Sequence, residues 1–474
     1  MSVNITSLAP EILGEIFQHC SFYCSDAPII LAGVSQAFCR AAHGTPCAWR
    51  KLRLSLTSDE RRLVRKAAFW FNRAGSCSLD LFVDITATEE SQSSVSDKPI
   101  AELYPFLVAF LRHHRPRIQI LNVRSDTELK AFHFIDAIYS STELPSRPDL
   151  QLQSLRIRIT SDIPVAPSTW SPVFESFSQL PGLQSLKLTN HVLPALNTPT
   201  IAHLRFLTIS RPLRAHPLPV HKILRIIGST PALERLEVDS RIMKQPLSEL
   251  AQYTNIPLLK SLSLRTNNLS YMLNLIATPS LEKLYLDDLD GKRPTASQEL
   301  SAALEELSDK VGFTGEPASG LSCLDTLEVE GVSFSAGSGD ISMDQWELCI
   351  RRMSSLTRLM IRNFDEEELV NILTSTSGLD GALEPVCPRL SYLCLSGSKA
   401  LIPLHKLNIL RPYITVEWET IQERNHQPSS SVYVYGAGGF GFGSRFHFEQ
   451  MATKVESRNR TVIPRMDPDS DGPW

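Results

Sequence analysis

The chain has 474 residues, 42% of them hydrophobic, with 47 basic and 51 acidic side chains and a formal net charge of −4. That is enough apolar material for a large core, and so even a charge balance gives no reason to expect nucleic acid or an anionic membrane as the main partner. The most apolar stretch, AELYPFLVAFLRHH, carries Glu102 and ends in basic residues, and the first residues lack the basic and apolar regions of a secretory signal, so neither a membrane span nor secretion is expected.

The first predicted element lies in SLAPEILGEIF, where Pro10 can open a helix and Ile12, Leu13, Ile16 and Phe17 form one apolar stripe. A second apolar stretch, APIILAGVSQAF, sets Ile30, Leu31, Val34 and Phe38 at helical spacing, and TPCAWRKL then supplies Pro46 and Trp49. His19, Cys20, Cys24, Cys39, His43 and Cys47 fall in the same region. Their pairs are spaced four apart rather than on the tight C-x2-C knuckle of a structural zinc site, so they read as core or half-buried thiols and no metal is expected. With nine scattered cysteines in all, free thiols in an intracellular protein, cytoplasmic or nuclear, are the simplest reading. The sequons at Asn4, Asn268 and Asn459 would then go unused.

Residues 53–117 read as a connecting helix, DERRLVRKAAFWF, followed by atypical first repeats. The basic run RHHRPR from Arg112 to Arg117 is expected on a solvated face rather than on RNA.

From 118 to 420 the chain repeats itself. The pattern L-x-x-L-x-L begins at Leu152, Leu183, Leu204, Leu233, Leu259, Leu281, Leu324, Leu356 and Leu390, with a weaker copy at Ile118. Its last residues alternate as a short half-buried strand. Helical periods lie between copies, in TWSPVFESFSQL, VHKILRIIGS, LSYMLNLIAT and DQWELCIRRM, and many end at a Pro or Gly. Strand and helix in alternation predict an α/β fold with parallel strands and helices on the other side. The pattern resembles leucine-rich repeats, which implies a curved solenoid with strands on the concave face and helices on the convex one. The Asn of that family's repeat is matched only by Asn267, so the solenoid is expected to be irregular. One insertion, from Asp288 to Gly320, contains a predicted helix from Ser297 to Val311 and is expected to bulge outward; VSFSAGSGDIS reads as a polar loop, and DEEEL at Asp365–Leu369 as an acidic first helical turn.

Residues 421–474 read as a disordered Gly/Ser/Pro-rich tail. The G-x-G-x-x-G at Gly436, Gly438 and Gly441 leaves too little chain after it for a dinucleotide-binding domain, so no cofactor is expected. No Ser-His-Asp or paired-carboxylate spacing marks a catalytic centre.

Residues 1–52 resemble an F-box. The matches are Leu8, Pro10, Glu11, Ile12, Leu13, Ile16, Phe17, Leu31, Val34, Pro46 and Trp49, with Ala9 inserted between Leu8 and Pro10. The segment FWFNRAGSCSLDLFVDI is similar to the stretch C-terminal to the F-box in a large fungal group of these proteins. An F-box ahead of leucine-rich repeats implies a substrate receptor of Skp–cullin–F-box ubiquitin ligases, an adaptor and not an enzyme. The resemblance implies that Leu8, Pro10, Ile12, Leu13, Ile16, Phe17, Leu31, Val34 and Trp49 bind the Skp adaptor. A target protein would lie on the concave strip, on Arg124, Arg156, Arg158, Lys187, Phe206, Arg235, Tyr285, Glu328, Arg358 and Tyr392, because alternate strand residues share a face. The alternative is a leucine-rich-repeat interaction scaffold with no ubiquitin role.

Overall fold

A computed structural model describes residue 5 and residues 8–56, 59–86, 100–139, 152–160, 180, 182–190, 201–212, 215–244, 253–290, 293, 295–309, 321–332, 341–362, 366–375, 386–396, 407, 409–419 and 432–435. The expected helix over 169–180 and the loop over 332–342 fall almost wholly outside these residues, as does the tail apart from 432–435.

The architecture is α/β, built on one sheet of 14 strands. The strands are β1 (Lys51–Ser55), β2 (Leu79–Asp84), β3 (Ile118–Ser125), β4 (Ser154–Ile159), β5 (Ser185–Thr189), β6 (Phe206–Ser210) and β7 (Arg235–Asp239). They continue as β8 (Ser261–Thr266), β9 (Lys283–Asp288), β10 (Thr326–Glu330), β11 (Arg358–Arg362), β12 (Tyr392–Ser396), β13 (Thr415–Glu419) and β14 (Val432–Tyr435). Their order across the sheet is their order along the chain. Every pairing from β1 to β13 is parallel, and only β14 runs antiparallel to its neighbour.

The aliphatic spacing explains the stacking. The leading leucine of each copy, from Leu152 through Leu390, is buried, as are the two aliphatics that follow it on the strand. The residue after each leading leucine offers its carbonyl to the next strand. Gln184 N donates to Gln153 O at 2.9 Å, Glu234 N to Arg205 O at 2.8 Å, Glu282 N to Lys260 O at 2.9 Å and Thr357 N to Asp325 O at 2.8 Å. Asn267, the one matched asparagine, accepts from Ile242 N at 2.8 Å and so ties its unit to the one before.

Two strands precede the weak copy at Ile118. In β1, Trp49 takes the place of the leading leucine, since Trp49, Leu52 and Leu54 are spaced and buried like any later copy. Arg50 O accepts from Asp80 N at 2.8 Å, as the later carbonyls do. In β2 the leading aliphatic, Leu79, lies one residue nearer the next one, and the register with β3 shifts between Leu79 and Asp80.

The described helices are α1 (Pro10–Tyr23), α2 (Ala27–Ala32), α3 (Gln36–Gly44), α4 (Glu60–Arg73), α5 (Ile100–Leu103) and α6 (Pro105–His114). Beyond them come α7 (Glu128–Tyr139), α8 (Val220–Gly228), α9 (Leu269–Asn274), α10 (Ala296–Asp309), α11 (Ile341–Arg352) and α12 (Glu366–Thr374). Their apolar stripes and the buried strand aliphatics form one continuous core. The helix of the insertion does not bulge outward. Helix α10 buries Leu300, Ala303, Leu304 and Leu307, an i, i+3, i+4, i+7 stripe, and packs between α9 and α11. Its Ser297, expected as an N-cap, lies inside the helix and accepts from Trp346 Nε1 at 2.9 Å. The tail likewise departs from its expected disorder at β14, where the alternating Val432–Tyr435 run pairs with the open edge of β13.

Gly331, just after β10, has φ +75°, and a Cβ there would stand 2.5 Å from Asp288 O, so a side chain is excluded on both counts. Toward the C-terminal end the Arg411 guanidinium is buried and donates to the carbonyls of Leu373, Val386 and Cys387 at 3.3, 2.6 and 2.5 Å.

Candidate protein-binding surfaces

Helices α1 to α3 and the turn at Pro46–Trp49 form a small unit that docks on β1 and α4. Pro10 sits in the first turn of α1, and Ser35 Oγ caps α3 by accepting from Phe38 N at 3.2 Å. Phe17 and Phe38 meet edge to face at 5.2 Å, and Trp49 and Trp70 do the same at 5.3 Å. Trp49 Nε1 donates to Ala42 O at 2.7 Å, and Trp70 Nε1 to Lys51 O at 2.9 Å. Lys51 Nζ donates to Phe22 O at 2.7 Å and lies over the Phe22 ring, and Lys66 pairs with Asp26 at 3.1 Å. Helix α1 approaches the α3 turn so closely that a Cβ on Gly14 would stand 2.7 Å from Thr45 Oγ1.

This packing divides the residues expected at an adaptor contact. Leu13, Phe17 and Trp49 are interior, with exposures of 3%, 0% and 1%, so they hold the unit together and present no atoms to a partner. Leu8, Ile16 and Leu31 are half-buried against the same core. Pro10 and Ile12 are exposed, Ile12 at 46%, and Val34 is exposed at 61%. Ile29 and Ile30, at 47% and 61%, belong to the same exposed set, although the sequence pattern does not mark them as contact residues. The six-residue helix APIILA carries no charged residue, and a run that short cannot turn all of its aliphatics inward. Phe22 and Tyr23 add an exposed aromatic pair at the end of α1.

The second surface is the face of the sheet opposite the core. Alternation places Arg124, Arg156, Arg158, Lys187, Phe206, Arg235, Tyr285, Glu328, Arg358 and Tyr392 there, half-buried or exposed between buried neighbours. Lys51, Arg53, Asp80 and Asp84 belong to the same face and become visible once KLRLS and LDLFVD are read as strands.

The charge pattern changes along this face. From β1 to β6 it carries six basic residues, Lys51, Arg53, Arg124, Arg156, Arg158 and Lys187, against Asp80 and Asp84. From β7 to β11 five basic residues, Arg235, Arg265, Lys283, Arg358 and Arg362, meet five acidic ones, Glu237, Asp239, Asp287, Glu328 and Glu330. The second half is paired across strands. Arg265 reaches Asp239 at 3.8 Å and Asp287 at 3.0 Å, Arg358 reaches Glu328 at 3.4 Å, and Arg362 bonds Glu330. Arg358 lies over the Tyr392 ring at 4.4 Å, and Arg235 over Phe206 at 5.5 Å. Burial, the main cause, raises the Asp239 and Asp287 carboxyls above their usual range; Glu330 raises Asp287 further, and Arg265 opposes the rise at both.

Among the described residues no group of three or more His, Cys, Asp or Glu stands close enough to hold a metal ion. Burial pushes the thiols of Cys349 and Cys387 up to about 12, which leaves them protonated and poorly nucleophilic at neutral pH. No described helix is long and apolar enough to cross a membrane. No family model matches the chain, and no curated protein matches it either.

Proposed function

We propose that the chain is the substrate-recognition subunit of a Skp–cullin–F-box ubiquitin ligase, with α1 to α3 as an F-box and the sheet with its helices as a leucine-rich-repeat solenoid. The unit α1–α3 binds the Skp adaptor, and the polar face of the sheet holds the target protein. The chain's contribution is proximity, which raises the concentration of target around the transfer enzyme.

The observation that carries this reading is the set Ile12, Ile29, Ile30 and Val34, exposed on a unit whose own core is already complete. Aliphatics left in water on two neighbouring helices suit a hydrophobic partner. They also refine the adaptor contact, which passes from Leu13, Phe17 and Trp49 to residues that are accessible.

The test is capture of purified Skp adaptor by the full chain. Ile30→Asp with Val34→Asp should abolish capture while leaving the melting temperature unchanged, since both side chains already face water. Capture at the wild-type level would remove the F-box assignment and leave the interaction scaffold with no ubiquitin role. Leu13→Asp cannot serve as this test, because it breaks the unit's core.

A further inference from the structure

We infer that Cys47 and Cys77 form a redox-active dithiol, whose oxidation to a disulfide clamps the N-terminal unit to the sheet. The two Sγ atoms stand 3.7 Å apart and share a hydrogen bond. They come from different parts of the molecule. Cys47 lies in the turn at Pro46–Trp49, which belongs to the unit of α1 to α3, and Cys77 lies just ahead of β2. A disulfide holds its sulfurs at about 2.05 Å. Small rotations of the two side chains can supply that approach.

The fold brings the pair together. Strands β1 and β2 pair from Lys51 opposite Asp80, so the segments leading into them run side by side. On one of these segments Ala48 N donates to Thr45 O at 3.1 Å and Arg50 N to Cys47 O at 3.4 Å. On the other, Gly75 turns the chain after α4 with φ +55°, and Cys77 N donates to Ala74 O at 2.9 Å. Arg117 Nη2 donates to Cys77 O at 3.4 Å, and Arg50 Nε to the adjacent Ser78 O at 3.1 Å. Backbone hydrogen bonds thus hold the chain at both cysteines.

Other thiols are placed differently. Cys349 and Cys387 are buried and donate to Ser301 O and Ile350 O at 3.3 and 3.2 Å, and Cys323 is exposed. Cys47 and Cys77 are half-buried, so neither is closed off from a small reagent. Burial is the main cause that raises the Cys77 thiol, the hydrogen bond with Cys47 adds to it, and Arg50 and Arg117 oppose the rise. Selectivity then comes from proximity rather than from an unusually ready thiolate.

The oxidant is a small-molecule disulfide. One cysteine, as thiolate, attacks a sulfur of the reagent, forms a mixed disulfide and releases one thiolate. The second cysteine, deprotonated in turn, attacks the protein sulfur of that mixed disulfide and releases the other. The protein loses two electrons and two protons, and the reagent becomes two thiols. The second step is intramolecular and outruns the return reaction, whereas a mixed disulfide at a thiol such as Cys323 is reversed by the released thiol. The chain between the two cysteines carries β1 and α4, and closing it ties the unit that exposes Ile12, Ile29, Ile30 and Val34 to the sheet. Formation of the bond does not depend on what that surface binds.

The test is equilibration of the full chain in mixtures of reduced and oxidised glutathione, followed by acid quenching, peptide mapping and hydrogen exchange. With oxidised glutathione in excess, peptides cross-linked through Cys47 and Cys77 should form in most molecules, and excess reduced glutathione should remove them. Cys47→Ser and Cys77→Ser should each leave the remaining cysteine as a glutathione adduct with no internal bond. In oxidised wild type the peptides over Gln36–Trp49 should exchange at least about threefold more slowly than in the reduced protein, a difference that Cys47→Ser should lack. Wild type that keeps both thiols free or carries glutathione on them, a cross-link from either cysteine to a different one, or equal or faster exchange after oxidation would each overturn the inference. Because these deciding readouts come from wild type, a serine variant that failed to fold would leave them standing.

Discussion

Helices α2 and α8 are both rich in aliphatics, yet they meet opposite fates. In α8, Val220, Ile223, Leu224, Ile226 and Ile227 are all buried. In α2, Ile29 and Ile30 face water. The residue types are nearly the same; the neighbours differ. Helix α8 lies in the helix layer over the sheet, its stripe merged with the core. Helix α2 lies at the start of the stack, packed on α1 and α3. The contrast teaches that apolar content alone does not decide burial: position in the stack decides whether this chain supplies the cover.

The comparison breaks most readily at the core of the N-terminal unit. Phe17→Asp places a carboxylate in a closed interior, and its cost should exceed about 4 kcal/mol, enough to unfold α1 to α3. Loss of protection of these helices in hydrogen exchange would register it, alongside unchanged protection for β7 to β11. Ile30→Asp beside it should leave the exchange pattern intact. Protection that survived Phe17→Asp would mean that the interior and exposed sets have been interchanged.

Leu304→Ala in α10 tests the same contrast from the other end. Its side chain is wholly buried, and truncation should cost about 2–5 kcal/mol in chemical denaturation. A change within about 0.5 kcal/mol, as for a surface site, would show that the inserted helix is not part of the core.

A sharper probe is Gly14→Ala, which forces a Cβ against Thr45 Oγ1 and should cost about 1–3 kcal/mol. Thr45→Ala costs its own bond to Ala41 O at 2.8 Å but removes the obstruction. The double variant should therefore be more stable than the two single losses added together, read as a coupling in a double-mutant cycle. Strict additivity would place α1 farther from the α3 turn.

The smallest effect lies on the polar face. The raised Asp287 carboxyl binds its proton more readily folded than unfolded, so it costs stability at neutral pH. That cost is relieved as pH falls through the raised value toward the ordinary 3.8. Asp287→Asn fixes the neutral state. The melting temperature of wild type relative to this variant should rise by a degree or so between pH 7 and pH 4. A fall over that window would mean that the pairing with Arg265 outweighs the burial.

The strands from Leu152 to Leu395 were legible in the sequence because the aliphatics of the repeated pattern share a single role, buried rungs in a regular ladder. Strand β1 escaped the pattern because Trp49 stands where the leading leucine should be and resembled a contact residue. Strand β2 escaped it because one residue is missing between Leu79 and Leu81, and a backbone irregularity absorbs the difference. Helix α10 was visible, but its place was not. Its flanking Gly and Pro residues suggested an outward loop, while the stripe Leu300, Ala303, Leu304 and Leu307 was already written for a neighbour on either side. On the polar face alternation located the side chains. Which rungs oppose like charges depends on register, and register is a relation between segments some 30 residues apart. For the N-terminal unit, helical spacing found the apolar residues but could not divide Leu13 from Ile12, because both lie on a stripe wider than one partner can cover.

The agreement between strand order and chain order has a consequence for how the molecule comes into being. Within the 14-stranded sheet each described strand hydrogen-bonds to the one made before it and the one made after it. A chain emerging from the ribosome can therefore lay down this sheet rung by rung. The price is an unfinished edge that advances with synthesis and stays open to other chains until the next strand arrives. The last described strand, β14, reverses direction and covers the edge that β13 would otherwise present.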